Sequence, residues 1–259
     1  WRKMKILPLV NIFQNGFEVW ETRQPTPDEI IKNIQAKLPI NEIHQEIKTQ
    51  LIQTIQTPED AIKYCLEKNG YCNTFENFID DELKKSPTIQ QWLSLMPITI
   101  PPNLLQYKTN YPEFDPSGVQ EEIALINCYL STNQQLIRAG EIDLWNIGES
   151  LVTNTPLSTS FCPQIALRNV NHGAKAYNYG RIDIMLINVV DSSTHVFFYN
   201  PKQEMGHEKE VLVSAGAKLT LKKRTVLKNE HTVHKYDPTQ TPSEQSKNVP
   251  VYLVEINLE

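Results

Sequence analysis

Cysteine is scarce in this chain. The 259 residues hold four, Cys65, Cys72, Cys128 and Cys162. That is too few for a disulfide scaffold, and none stands in a CxxC pair, so a zinc knuckle is not expected. They read as small buried or half-buried thiols. No Asn-x-Ser/Thr sequon occurs, which argues against passage through a eukaryotic secretory pathway. Positive charge is not in excess: 25 Lys and Arg face 30 Asp and Glu, for a net charge of −5. The basic footprint of a nucleic-acid binder is missing, and no nucleic-acid partner is expected. No apolar run approaches the roughly 18 residues of a membrane-spanning helix. The longest, residues 182–190, is interrupted by Asp183 and Asn188.

The common catalytic signatures are missing as well. There is no GxGxxG between a strand and a helix and no GxxxxGK[ST]. There is no HExxH, no kinase signature and no GxSxG elbow. His231 and His234 form an HxxH without further clustered ligands and read as surface residues, so no metal is expected. Trp1 is not a natural initiator, so the chain reads as trimmed or processed. Arg2, Lys3 and Lys5 precede an apolar ILPLV run, but that run is short and contains Pro8, which argues against a signal peptide.

What is present divides the chain by periodicity. At 40% hydrophobic and 21% charged residues, the composition is that of an ordinary globular chain. Residues 26 to about 130 read as helices. Thr26-Pro27-Asp28-Glu29 is a capping box with proline at the first helical position. Ile30, Ile31, Ile34 and Leu38 follow at helical spacing, and Ile40, Ile43, Ile47, Leu51 and Ile55 continue it. Thr57-Pro58 opens another helix that Gly70 ends. Helices are also expected over Phe75–Leu83 and Ile89–Leu95, and from the capping-box spacing Ser117–Gln120 onward, with a proline-rich connection between 97 and 116. After about residue 134 short apolar runs bounded by turn residues read as strands: Leu136–Arg138, Gly180–Ile187, Thr194–Tyr199, Glu210–Ser214, Lys218–Lys222 and Val251–Ile256. Asp237–Asn248 reads as a surface loop. Helices first and strands later predict an α+β fold, with a helical lobe over 1–130 and a strand-rich core over 131–259.

Three islands in the second half carry chemistry. They are Leu136-Ile137-Arg138-Ala139-Gly140, Leu157-Ser158-Thr159-Ser160, and Glu208-Lys209-Glu210-Val211-Leu212-Val213. An arginine grips phosphate through a planar fork and stays charged. Two carboxylates two residues apart on an extended strand share one face.

In this order the islands resemble the arginine, Ser-Thr-Ser and Glu-x-Glu motifs of the R-S-E class of mono-ADP-ribosyltransferases found among bacterial toxins and effectors. The resemblance covers residues 120–259. The neighbours of Arg138 differ from the usual pattern, with Ile137 before it and Gly140 one place late. Arg168 and Arg181 are alternatives that stand in the wrong order relative to the serines.

The resemblance implies a mixed β-sandwich core preceded by a helical lobe that supports the site or recognises the target. It implies that NAD⁺ is bound by Arg138, Gly140, Ser158, Thr159, Ser160 and Glu210, and is consumed as a substrate without a metal. Arg138 would hold phosphate. Glu210 would stabilise an oxocarbenium-like transition state, as in glycosyl transfer generally, with Ser158 orienting it. Glu208 would align the incoming guanidinium of a target protein, so the acceptor is expected to be arginine. The segment 198–207 would touch the protein substrate, and Phe198 and Tyr199 read equally as residues stacking on target or nicotinamide and as half-buried strand aromatics. The family further implies a secreted effector acting on a host protein. A glycohydrolase of the same fold and an inactive binding module are the alternatives.

Overall fold

A computed structural model describes residues 4–191, 193–203, 206–236, 239, 241 and 243–259. Trp1, Arg2 and Lys3 of the charged start therefore lie outside the described residues, as do parts of the segments 198–207 and 237–248. In chain order the elements are β1 (Lys5–Leu7), β2 (Phe17–Arg23), α1 (Pro27–Gln35), α2 (Ile40–Ile43), β3 (Ile47–Ile55), α3 (Pro58–Glu67), α4 (Asn73–Lys85), α5 (Pro87–Leu95), α6 (Pro102–Thr109), α7 (Pro116–Ile126), β4 (Cys128–Leu130), β5 (Gln135–Gly140), β6 (Ser150–Val152) and β7 (Leu157–Ser160). They continue with α8 (Pro163–Asn171), α9 (Lys175–Tyr179), β8 (Ile182–Val189), β9 (Val196–Phe198), β10 (Glu210–Val213), β11 (Lys218–Tyr236) and β12 (Glu244–Leu258). The chain forms two compact units, residues 13–57 and residues 1–12 with 58–259.

The smaller unit corrects the expected helical lobe. Its capping box is present: Thr26 Oγ1 accepts from the Glu29 amide and the Glu29 carboxylate accepts from the Thr26 amide at 2.8 Å. Residues 47–55, however, are a strand, paired antiparallel to β2 with Trp20 opposite Leu51 and Phe17 opposite Ile55. The reason lies in the spacing. Ile47, Leu51 and Ile55 are four apart, which puts them on one face of a helix but equally on one face of a strand. The β-branched Thr49, Ile52 and Thr54 between them favour the strand.

In the larger unit the expected helices form. Gly70, at φ +76°, closes the end of α3 with its amide on the Cys65 carbonyl at 2.8 Å. Ser86 caps α5 through the Ile89 amide. The cap of α7 is Asp115, whose carboxylate accepts from the Ser117 amide at 3.0 Å, with Pro116 at the first helical position. Trp92 of α5 is fully buried between Phe161 and Phe198, and its indole N–H reaches the Pro8 carbonyl at 2.7 Å. These helices belong to the same unit as the strands.

Eight strands form one mixed sheet in the order β6-β11-β12-β8-β5-β7-β10-β9, in which only β12 and β8 are parallel, and β1 and β4 pair in a separate two-stranded parallel sheet. β11 and β12 run far beyond the expected limits, and the polar stretch from Glu244 to Asn248 belongs to β12. Three register shifts, at Leu221/Lys223, Val226/Lys228 and Lys228/His231, break the alternation that a sequence pattern needs.

The junction between β5 and β7 shapes the site. These strands pair at one position only, Ile137 opposite Ser160. Five strands on one side and three on the other are joined there and part on either side of it. The three-stranded side is tightly buried: Val211, Leu212 and Val213 of β10 are fully covered. Each such side chain contributes about 1.5–3 kcal/mol by leaving water.

Candidate active site

The opening between β5 and β7 is a cleft lined by Ile137, Arg138 and Ala139 on one strand and Ser158, Thr159 and Ser160 on the other. Ile165, Ala166 and Asn169 of α8, with Glu208 and Glu210, complete it. All three islands of the sequence meet here, although up to 72 positions separate them. Where the two strands no longer pair through their backbones, Arg138 spans the gap: its Nη1 donates to the Ser158 carbonyl at 2.8 Å. Thr159 Oγ1 donates to the Val211 carbonyl at 2.6 Å and Ser160 Oγ to the Glu208 carbonyl at 2.7 Å. Those two hydroxyls therefore fix the backbone of β10 and of the turn before it, while the Ser158 hydroxyl acts on the Glu210 carboxyl and draws its pKa down.

The two glutamates converge, by a route different from the expected one. β10 begins at Glu210, and Lys209 is left-handed at φ +51°. Strand alternation does not align them; a turn does. Both carboxylates reach the ammonium of Lys108 on α6. Glu208 Oε2 is hydrogen-bonded to it, and Glu210 Oε2 lies 2.6 Å from it, an ionic contact whose direction falls outside hydrogen-bond geometry. Glu210 is almost fully buried, whereas Glu208 is partly open. Burial pushes the Glu210 carboxyl up from its ordinary value, against the downward pull of Lys108 and of the Ser158 hydrogen bond. Burial also works against the Lys108 charge, but Glu210 and Glu208 outweigh it and hold the ammonium above the usual lysine range. The site is thus a buried carboxylate and a half-open one sharing a single cation.

The geometry invites comparison with proteins of known structure. Vis toxin, an ADP-ribosyltransferase from Vibrio splendidus, aligns over 80% of this chain and 88% of its own, at 12% identity and a TM-score of 0.30. C3larvin toxin, an ADP-ribosyltransferase from Paenibacillus larvae, aligns over 76% and 92%, at 12% identity and a TM-score of 0.31. The enzymatic component C2-I of the C2 toxin from Clostridium botulinum aligns over 97% of this chain and half of its own, at 8% identity and a TM-score of 0.34. These are likenesses in outline, too low in identity and TM-score to give this chain a family or an activity. No protein-family model and no curated protein matches it.

The centre of the Glu-x-Glu island is as firmly held as its ends. Lys209 is buried, with Nζ 3.2 Å from Asp80 and 3.4 Å from Glu76, both on α4, and on the His207 carbonyl at 3.1 Å. Glu76 also pairs with Arg168 and accepts from Gln164 at 2.8 Å. Burial opposes the Glu76 charge, but Lys209 and Arg168 prevail and hold its carboxyl below the usual range.

The alternative arginines are engaged elsewhere. Arg168 pairs with Glu76, and Arg181 binds the buried Asp183 at 3.0 Å and Asp143 at 3.0 Å. Gly140 continues β5 opposite Asp183 and is not part of the cleft lining; a side-chain carbon there would meet only Met185, at 3.9 Å. Phe198 and Tyr199 are core residues, which agrees with strand aromatics and not with stacking on a ligand: Phe198 packs edge-on against Trp92 and Phe161, and the Tyr199 hydroxyl donates to the Leu104 carbonyl at 3.0 Å. Among the described residues no helix is long and apolar enough to cross a membrane.

Sequence reading missed Lys108 and the contribution of α8. Lys108 lies 100 positions before Glu208, at the end of a short helix, and carries no local signal. The free volume of the cleft is about 30 Å³. Small-molecule pockets measure about 300–1,000 Å³, so binding a dinucleotide requires the lining side chains to move.

Proposed function

We propose that this protein cleaves NAD⁺ at the nicotinamide–ribose bond and transfers the ADP-ribose to an arginine side chain of another protein, in the manner of R-S-E mono-ADP-ribosyltransferases. The observation that carries this reading is the convergence of Arg138, Ser158, Glu208 and Glu210 at the parting of β5 and β7. The donor set suits NAD⁺ as a consumed substrate. Glu210 Oε2 makes no hydrogen bond, although the Lys108 ammonium lies 2.6 Å from it, and so keeps a lone pair for a ribose hydroxyl. Arg138 uses Nη1 on Ser158 and offers the rest of its fork to phosphate.

In this reading each residue has one task. The carboxylate of Glu210, oriented by Ser158, lies beside the ribose and stabilises the positive charge that develops as the glycosidic bond breaks. Preorganised stabilisation of this kind is worth about 10²–10³ in rate per group. Glu208, partly open, meets the acceptor, aligns its guanidinium and draws off a proton as the new bond forms. Thr159 and Ser160 hold the β10 backbone, and Gly140 lies along the same strand as Arg138. The acceptor is a protein, of host origin if the chain is a secreted effector, and no metal takes part.

The second reading, an NAD⁺ glycohydrolase, is favoured by one observation: Lys108 already occupies Glu208, the group that an acceptor guanidinium needs. Incubation with NAD⁺ labelled on the adenylate portion, with a cell lysate as acceptor source, separates the readings. Label on protein arginine supports the transferase, and free ADP-ribose alone supports the hydrolase. Unconsumed NAD⁺ removes both and leaves an inactive binding module.

A further inference from the structure

Two carboxylates that meet in a buried place repel one another, and one of them ordinarily keeps a proton. Glu208 and Glu210 meet in this way, and one ammonium lies between them. That ammonium does not arrive from a free side chain on the surface. Lys108 is 9% exposed and lies over the Tyr199 ring, 5.0 Å from its centroid. The helix that carries it is pinned at several points. The Glu122 carboxylate of α7 accepts from the Asn103 and Leu104 amides at 3.0 and 2.8 Å, and Tyr199 donates to the Leu104 carbonyl. Leu104 is fully buried and Tyr107 nearly so. Lys108 is not part of the cleft lining; it meets the carboxylates from the α6 side and leaves the β5–β7 side open.

We propose that Lys108 is a positioning residue of the reaction: its one ammonium bridges Glu208 and Glu210, keeps both as carboxylates side by side, and makes α6 part of the catalytic centre. The inference rests on the proposed NAD⁺ chemistry and extends it to a residue far from the three islands. Because α6 is fixed and Lys108 stands outside the cleft, the bridge is expected to persist while the lining side chains other than the two glutamates make room for NAD⁺. The other groups around Glu210 do not supply the charge. Tyr107 and Tyr199 are pushed far up by burial and by the nearby carboxylates, so both stay neutral. Ser158 carries no charge, and among the described residues Arg138, which bonds the Ser158 carbonyl and is assigned to phosphate, forms no ion pair with either glutamate.

The test is the pH dependence of NAD⁺ hydrolysis in wild type, Lys108→Met and Lys108→Arg. Without the ammonium the two carboxylates share a proton, so in Lys108→Met the acid limb should move up by roughly one pH unit or more. It should do so in both kcat/KM and kcat, which report the free enzyme and the substrate complex respectively. Lys108→Arg should bring the limb back toward wild type. A folded Lys108→Met protein with an unmoved limb, or with a limb that moves in kcat/KM alone, overturns the bridge. A second measurement uses wild type only: acetylation of Lys108 by an amine-acylating reagent, read by mass spectrometry with and without NAD⁺. Continued protection supports a bridge that stays in place, and a gain in reactivity on adding NAD⁺ overturns it. Absence of NAD⁺ turnover in wild type overturns the proposed function itself, whereas turnover with unmoved limbs sinks only the role of Lys108.

Discussion

At the scale of single residues, the two glutamates sit in different surroundings and should fail differently. Glu210 is buried on Ser158 and Lys108, whereas Glu208 is partly open. Glu210→Ala should lower both protein labelling and NAD⁺ hydrolysis by about 10²–10³ or more, since both pass through the same cation-like transition state. Glu208→Gln keeps size and hydrogen bonding but loses charge and the capacity to take a proton. Hydrolysis should survive it within severalfold while labelling of protein arginine disappears. Normal labelling by a folded Glu208→Gln protein would undercut arginine as the acceptor. The charge state of Glu210 also sets a pH dependence. Burial raises its pKa, and the reaction needs the carboxylate, so activity should fall as pH drops through a value above the ordinary glutamate range of about 4.3. A kcat/KM profile for hydrolysis that stays flat down to that range would remove Glu210 from the catalytic role.

At the scale of elements, two side chains tie together segments that backbone pairing does not join. Arg138 ties β5 to β7 through the Ser158 carbonyl, beside the single backbone pair of Ile137 and Ser160. Arg138→Lys retains the charge but loses the fork. Turnover should fall while the fold survives, and unchanged steady-state kinetics would mean that Arg138 has no part in the site. Lys209 ties the turn before β10 to Glu76 and Asp80 on α4. It does so in a left-handed conformation that a side chain rarely adopts, so the buried contacts must outweigh the strain. Lys209→Met should cost about 1–3 kcal/mol by leaving those carboxylates short of a partner. It should also misplace Glu208 more than Glu210, because Glu210 is held in β10 by its pairing with β7. Denaturant unfolding checks the first expectation, and the ratio of labelling to hydrolysis checks the second.

At the scale of the whole molecule, the chain distributes its work unevenly. The unit of residues 1–12 and 58–259 contains every residue of the candidate site, including Lys108. Residues 13–57 contain none of them and carry apolar side chains in water: Ile31 and Ile34 on α1 are 51% and 55% exposed. Ile31→Asp and Ile34→Asp should therefore leave hydrolysis of NAD⁺ unchanged. If this unit recognises the target, they should reduce labelling of protein. A parallel loss of hydrolysis in folded variants would instead make residues 13–57 part of the NAD⁺ site.

The sequence by itself determined what short range can determine. The capping box at Thr26, the proline start of α3, the cores of β5, β8, β10 and β12, and the three islands of the site are all local patterns, set by a cap, a turn or an alternation within a few residues. The tertiary structure decided the rest. It made 47–55 a strand, because a four-residue spacing satisfies helix and strand alike and only pairing with β2 separates them. It lengthened β11 and β12 across bulges that erase alternation. It brought Glu208 beside Glu210 through a left-handed lysine held by α4, where the sequence alone suggested an extended strand. It also placed Lys108, from a helix 100 positions earlier, between the two carboxylates. No window along a chain contains that contact, because the cation and the carboxylates come together only when α6 packs onto the end of the sheet that presents them.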